Sequence, residues 1–211
     1  VNPRCSLLKK AMKTSVYIDS CAWNYLFDEQ VVVREVFPPD EFSLFVTREV
    51  EIELFEIPDI GHGGHNNRPL KEFIRQTIAQ NEVRTSGFFG FRTFEPDGTP
   101  TKHQVNLGFG QGGFRPAADR DWYATPEVRA YIEGKPTRKS GLSHNQADAS
   151  LAVRSFAAII LTNEKKGKSG PIRLASEQSG QVLFLGDLAA SGLTLKEFVL
   201  AARQRWAGSS T

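Results

Sequence analysis

Short apolar runs of strand length alternate with helix-period segments along this chain, and that alternation limits its fold more than any other feature. Residues 15–19 (Ser-Val-Tyr-Ile-Asp) form the first run and 42–46 (Phe-Ser-Leu-Phe-Val) the second; two more lie at 158–161 and 181–185. Between them the spacing predicts a helix over 20–27, with Ala22, Tyr25 and Leu26 on one face. Another is expected over 48–57, opened by Thr47 as N-cap and closed by Pro58. A third, over 69–80, starts at a proline and carries Leu70, Phe73, Ile74, Thr77 and Ile78 at helical spacing. Thr125-Pro-Glu starts a short helix that stops at Gly134. Ser143-His-Asn-Gln146 and Thr194-Leu-Lys-Glu197 have the form of capping boxes opening two more. Continuous apolar strands alternating with helices imply a mostly parallel sheet covered on both faces. The expected fold class is therefore α/β, a three-layer α/β/α sandwich.

Over 82–121 the pattern changes. Phe88-Phe-Gly-Phe-Arg-Thr-Phe94 and 101–107 flank Glu95-Pro-Asp-Gly-Thr-Pro100, which is turn chemistry, so an inserted β-hairpin followed by a loop is expected here. Phe88, Phe89, Phe91 and Phe94 offer base-stacking surface, but four phenylalanines on one ribbon point first to burial against the body or a second subunit. A length of 211 residues suits one domain with a sizeable core, read as 14–211, preceded by 1–13 as a leader segment.

Composition removes several classes of function. Lys and Arg number 26 against 24 Asp and Glu, a formal charge of +2, which excludes a polybasic arm along the whole chain but not a local basic groove. No apolar run approaches the ~18 residues of a membrane span. Two cysteines, Cys5 and Cys21, without an Asn-x-Ser/Thr sequon, fit a reducing cytoplasm. Gly108, Gly110 and Gly113 satisfy G-x-G-x-x-G, yet Pro116 interrupts any following helix, so a dinucleotide site is not expected. His62-Gly-Gly-His65 has ligand-like spacing but no third His or Cys beside it, and reads as a surface turn.

Four acids stand where strands end or the next helix begins. Asp19 closes the first run, Glu53 lies on the helix after the second, Asp148 is in the first turns of the helix after Ser143, and Glu164 follows the 158–161 run. Parallel strands share a carboxyl edge, so acids distant in sequence can meet there. Clustered carboxylates repel, and a hard dication with oxygen ligands, Mg²⁺ or Mn²⁺, relieves the repulsion; Cys and His take no part in the pattern, which disfavours zinc. The plainer readings are Asp19 as a helix N-cap, Glu49 and Glu53 as a solvated helix face, and Glu164 as a loop acid.

Val16-Tyr-Ile-Asp19-Ser20, Thr47-x-x-Val50-x-x-Glu53-Leu54, Asp148-Ala-Ser-Leu-Ala and Ile160-Leu-Thr-Asn-Glu164 together resemble the PIN-domain nucleases, over 14–57 and 143–185. The resemblance implies a five-stranded parallel sheet and a pocket holding one or two Mg²⁺ or Mn²⁺. It implies Asp19, Glu53 and Asp148 as ligands, Glu164 as outer ligand or base, and Ser20 and Thr162 as hydrogen-bonding support. The reaction implied is hydrolysis of RNA by in-line attack of water, leaving 5′-phosphate and 3′-hydroxyl ends. The basic runs Lys135, Arg138 and Lys139 and Lys165, Lys166 and Lys168 would then border the pocket, with Lys139, Lys165 and Lys166 as the expected phosphate holders. RNA is the implied partner; a protein antitoxin, if the chain is the toxin of a toxin–antitoxin pair, and a second copy of the chain stay open. Two alternatives remain: a non-catalytic PIN-like module that binds protein or RNA, and a phosphohydrolase using Asp19 as nucleophile. Cys21, standing where such phosphohydrolases place a second acid, argues against the latter.

Overall fold

Strand β1 (Thr14–Ile18) turns directly into helix α1 (Ser20–Asp28), and this strand-to-helix step recurs through the chain. The structure is a computed structural model that describes residues 13–90, 97, 105–108, 112–133, 135, 138 and 140–208. After a single turn, α2 (Val33–Val36), come β2 (Phe42–Thr47), α3 (Arg48–Phe55), α4 (Arg68–Gln80) and β3 (Arg84–Ser86). Then follow α5 (Ala117–Ala124), α6 (Pro126–Ile132), α7 (Gln146–Arg154), β4 (Ile159–Thr162), α8 (Pro171–Glu177), β5 (Val182–Phe184), α9 (Leu188–Ser191) and α10 (Leu195–Gly208).

All five strands are parallel, in the order β3-β2-β1-β4-β5, and helices complete the expected α/β/α layering. Val16, Ile18, Ile159, Ile160 and Leu161 are buried in the central strands, which is why those runs are apolar without alternation. The chain winds from β1 outward to β3, then crosses back to lay β4 on the other side of β1. Ligand sites in open parallel sheets form at such a reversal, beyond the carboxyl ends of the two strands. Here Ile18 lies opposite Leu161, and the Asp19 N–H donates to the Leu161 carbonyl at 3.0 Å.

Helix α7 is buried almost all round: Ala147, Ala149, Ser150, Leu151, Ala152 and Val153 are in the core. Asp148, the carboxylate on this helix, is left only partly exposed. The Thr47 cap forms as expected, its Oγ1 accepting from the Val50 N–H at 3.3 Å. The box at 194 closes both ways, Thr194 N–H to Glu197 Oε2 at 2.9 Å and Glu197 N–H to Thr194 Oγ1 at 3.4 Å. At 143 only the return bond forms, Ser143 N–H to Gln146 Oε1 at 3.0 Å. Asn145 adopts a left-handed φ of 65°, so α7 starts at Gln146, two residues later than the box implies.

Assigning all of 82–121 to an insertion needs correction at both ends. Arg84–Ser86 pairs with Phe45, Val46 and Thr47 as the edge strand β3. An edge strand covered on one side needs no apolar run: Thr85 donates to Glu51 at 2.7 Å, and the Arg84 guanidinium lies 4.6 Å from the Phe45 ring. At the other end, Ala117–Ala124 is helix α5. Between them, Phe89 pairs with Leu107 and Phe88 with Gly113, each through a single parallel bridge. The remainder of the expected hairpin, 91–96 and 98–104, lies outside the described residues, as do 1–12 of the expected leader. No helix among the described residues is long and apolar enough to cross a membrane.

Candidate functional site

Asp19 is where β1 delivers the chain to the switch point, and it is 2% exposed. It occupies the N-cap position of α1, yet its carboxylate makes no capping bond, so the plain helix-cap reading does not hold. The carboxylate instead accepts from Thr162 Oγ1 at 2.7 Å, Cys21 Sγ at 2.9 Å and Ser20 Oγ at 3.4 Å. Thr162 is fully buried at the end of β4 and also accepts from the Glu164 N–H at 3.1 Å. Cys21 Sγ takes the Asn163 N–H at 3.2 Å, so these hydrogen bonds stitch the ends of β1 and β4 around one carboxylate. Burial, then the Asp19 charge, pushes the Cys21 thiol well up, so it remains a neutral donor to that carboxylate.

Glu53 reaches the same region from α3. Burial pushes its carboxyl up; the Arg138 charge and a hydrogen bond from Ser20 pull it back, and Asp19 adds to the rise. Its carboxylate is ion-paired with the Arg138 guanidinium. Glu49, one turn earlier, is also buried, but its surroundings are Ser150, Arg115 and Arg154. Of Glu49 and Glu53, Glu53 is thus the one electrostatically joined to Asp19.

Asp148 shows the coupling most directly. Burial in α7 pushes its carboxyl up to about 7, and the charges of Asp19, Glu164 and Glu53 push the same way, with Lys168 opposing. The Lys168 ammonium lies 3.9 Å from Asp148 and is ion-paired with Glu164. The four acids read from the sequence therefore converge, from β1, α3, α7 and the segment after β4. Ser20 and Thr162 lie beside Asp19, as expected of its supports.

The basic residues fall out differently. Lys166 pairs with Asp187 at 3.0 Å, Lys165 is exposed, and Lys139 lies outside the described residues. Among the described residues, the cations that touch the acids are Lys168 and Arg138. Both sit in the charge runs visible in the sequence, but nothing local in those runs ranks one lysine over the next. Cys21 is a contributor that sequence reasoning missed; its signal was only its place two residues after Asp19.

The donor set tests well against a hard dication. Every acid offers oxygen, Asp19 is buried against neutral hydrogen-bond donors, and the Asp148 carboxyl is pushed up first by burial and then by the charges of its acid neighbours. As the side chains stand, no three Asp, Glu, His or Cys groups among the described residues are close enough to share one ion. Arg138 and Lys168 lie against three of the four acids instead. Compared with protein-family models, curated proteins and solved structures, the chain matches none.

Proposed function

We propose that this chain is a Mg²⁺- or Mn²⁺-dependent endoribonuclease of the PIN type. The observation that carries the reading is the placing of Asp148 with three further acids at the sheet's switch point, where burial and their charges push its carboxyl up. Asp19, Glu53 and Asp148 would hold the dication, with Glu164 as outer ligand or base. When bound, the ion supplies charge neutralisation at the phosphodiester and a more acidic water for in-line attack. The chain's own residues do the rest. Thr162, Cys21 and Ser20 fix the Asp19 carboxylate, and the packed α7 holds Asp148 half-buried at the edge of the site. Glu164, on the segment leaving β4, is the carboxylate that accepts the proton of the attacking water. Lys168 and Arg138 supply positive charge for phosphate oxygens.

The test is cleavage of a mixed RNA pool with Mg²⁺ or Mn²⁺ by the wild-type protein and by Asp148→Asn. The variant is expected to lose activity by about 100-fold or more, in keeping with removal of a charged group from a catalytic site. Equal cleavage by both proteins refutes the site. A second reading, a non-catalytic module that binds protein or RNA, is favoured by one feature: Arg138 and Lys168 already lie against three of the acids. It predicts no Mn²⁺ binding above that of Asp19→Asn and Asp148→Asn controls.

A further inference from the structure

Lys168 belongs to the tight segment that follows β4. Its N–H donates to the Lys165 carbonyl at 2.8 Å, and Gly167 precedes it. From there the side chain reaches back to two acids on different elements, Glu164 after β4 and Asp148 on α7. The side chain is 53% exposed, so its stem approaches from solvent and is not packed in place. An ammonium is a compact point charge on a flexible four-carbon stem, with donors that do not require one geometry. It engages carboxylate oxygens that a dication would also need, and one positive charge cannot balance four acids.

We propose that Lys168 is a built-in counter-cation of the acid cluster, which a divalent cation must displace in order to bind. This rests on the metal-dependent reading above and adds a competitor to it. Because the ammonium is tethered a few residues from Glu164, it competes at high effective concentration however dilute the protein is. The affinity seen for the dication is then reduced by the fraction of time Lys168 occupies the acids. The displaced side chain remains within a side-chain length of the pocket, free to meet a phosphate.

The test is calorimetric titration of the full chain with MnCl₂, comparing wild type with Lys168→Met, Lys168→Arg, Lys166→Met and Asp148→Asn. Lys168→Met is expected to bind Mn²⁺ about tenfold more tightly, given a unit charge removed at about 4 Å. Lys168→Arg, which keeps the charge, is expected to stay close to wild type. Lys166→Met is the control for general electrostatics, since Lys166 is paired with Asp187, and is expected to change affinity less than twofold. Equal or weaker binding by Lys168→Met, with binding still abolished by Asp148→Asn, overturns the competitor role and leaves the metal site standing. An equal gain in Lys166→Met overturns displacement in favour of long-range charge. Absence of Mn²⁺ binding in both wild type and Lys168→Met overturns the metal site and the proposal together.

Discussion

At the residue scale, the Asp148 carboxyl bears a large electrostatic cost. Its ordinary value is 3.8 and burial with three neighbouring acids pushes it up to about 7. A carboxyl whose pKa is higher folded than unfolded holds its proton more tightly in the folded state. Its contribution to stability is full below about pH 4 and is lost as the pH rises to about 7. With chelator present, Asp148→Asn is therefore expected to match wild type near pH 4. By pH 8 it should exceed wild type, by up to about 4 kcal/mol. Urea midpoints measured across that range check this, and curves that stay parallel from pH 4 to pH 8 would count against it. Thr162 offers a second test on the neighbouring acid. Its hydroxyl donates to buried Asp19 at 2.7 Å, and Thr162→Val keeps the shape while removing that donor. A loss of about 2 kcal/mol in denaturant unfolding is expected, the usual range for a hydrogen bond to a charged group.

At the scale of elements, the site depends on how closely α7 is packed from behind. Ser155, just past α7, is fully buried and its hydroxyl donates to the Ala152 carbonyl at 2.6 Å. Gly180, between α8 and β5, lies against it: a Cβ there would meet Ser155 Oγ at 2.2 Å and the Ala175 carbonyl at 2.8 Å. Gly180→Ala is expected to cost about 1–3 kcal/mol by overpacking. Adding Ser155→Ala should recover only part of the loss, because the backbone carbonyl remains in the way. A double-mutant comparison of thermal unfolding measures this, and an unchanged melting point in Gly180→Ala would show that the gap is looser than drawn. Next to α7, the Phe88 ring lies 4.5 Å from the Arg115 guanidinium and 4.2 Å from that of Arg154, which also pairs with Asp119 at 3.3 Å. Phe88 is thus packed against the body, as expected of the first aromatic of its ribbon. Buried Glu49 belongs to this group of charges, which is why the i, i+4 pattern with Glu53 could not tell the two acids apart. Period alone places both on one face; only their neighbours, Arg115 and Arg154 or Arg138 and Ser20, separate them.

For the whole molecule, the strand order brings the chemistry together. Asp19 and Asp148 sit on different elements, so an ion held by both links β1 to α7. Saturating Mn²⁺ at about 100 times its dissociation constant should stabilise the folded chain by about 2.7 kcal/mol. That is a rise of roughly 5–10 °C in melting temperature for a chain of this size. Chelation should reverse the rise, and Asp19→Asn and Asp148→Asn should each abolish it. A shift that survives either substitution would place the ion elsewhere.

Much of this architecture was legible beforehand because burial leaves a local trace. Strands covered on both faces, such as Ile159–Thr162, appear as unbroken apolar runs, and the Thr47 and Thr194 caps appear as short spacings. Asp19, Asp148 and Glu164 could be read for the same reason, each being placed by a neighbouring strand or cap, whereas Glu53 was set apart from Glu49 only by the family resemblance. Edge strand β3 left no such trace, since Arg84, Thr85 and Ser86 need cover on one side only. The choice among charges was equally hidden. Arg138 meets Glu53 across 85 residues and Thr162 meets Asp19 across 143, pairings that no window of sequence records. From its sequence alone, this chain determined the layered α/β body and which acids stand at its strand ends. Only the tertiary structure decided that β3 closes the sheet and that Lys168 and Arg138 face those acids. Patterning along a chain reports how deeply each residue is buried, whereas which charges meet depends on distances that exist only once the strands have been ordered side by side.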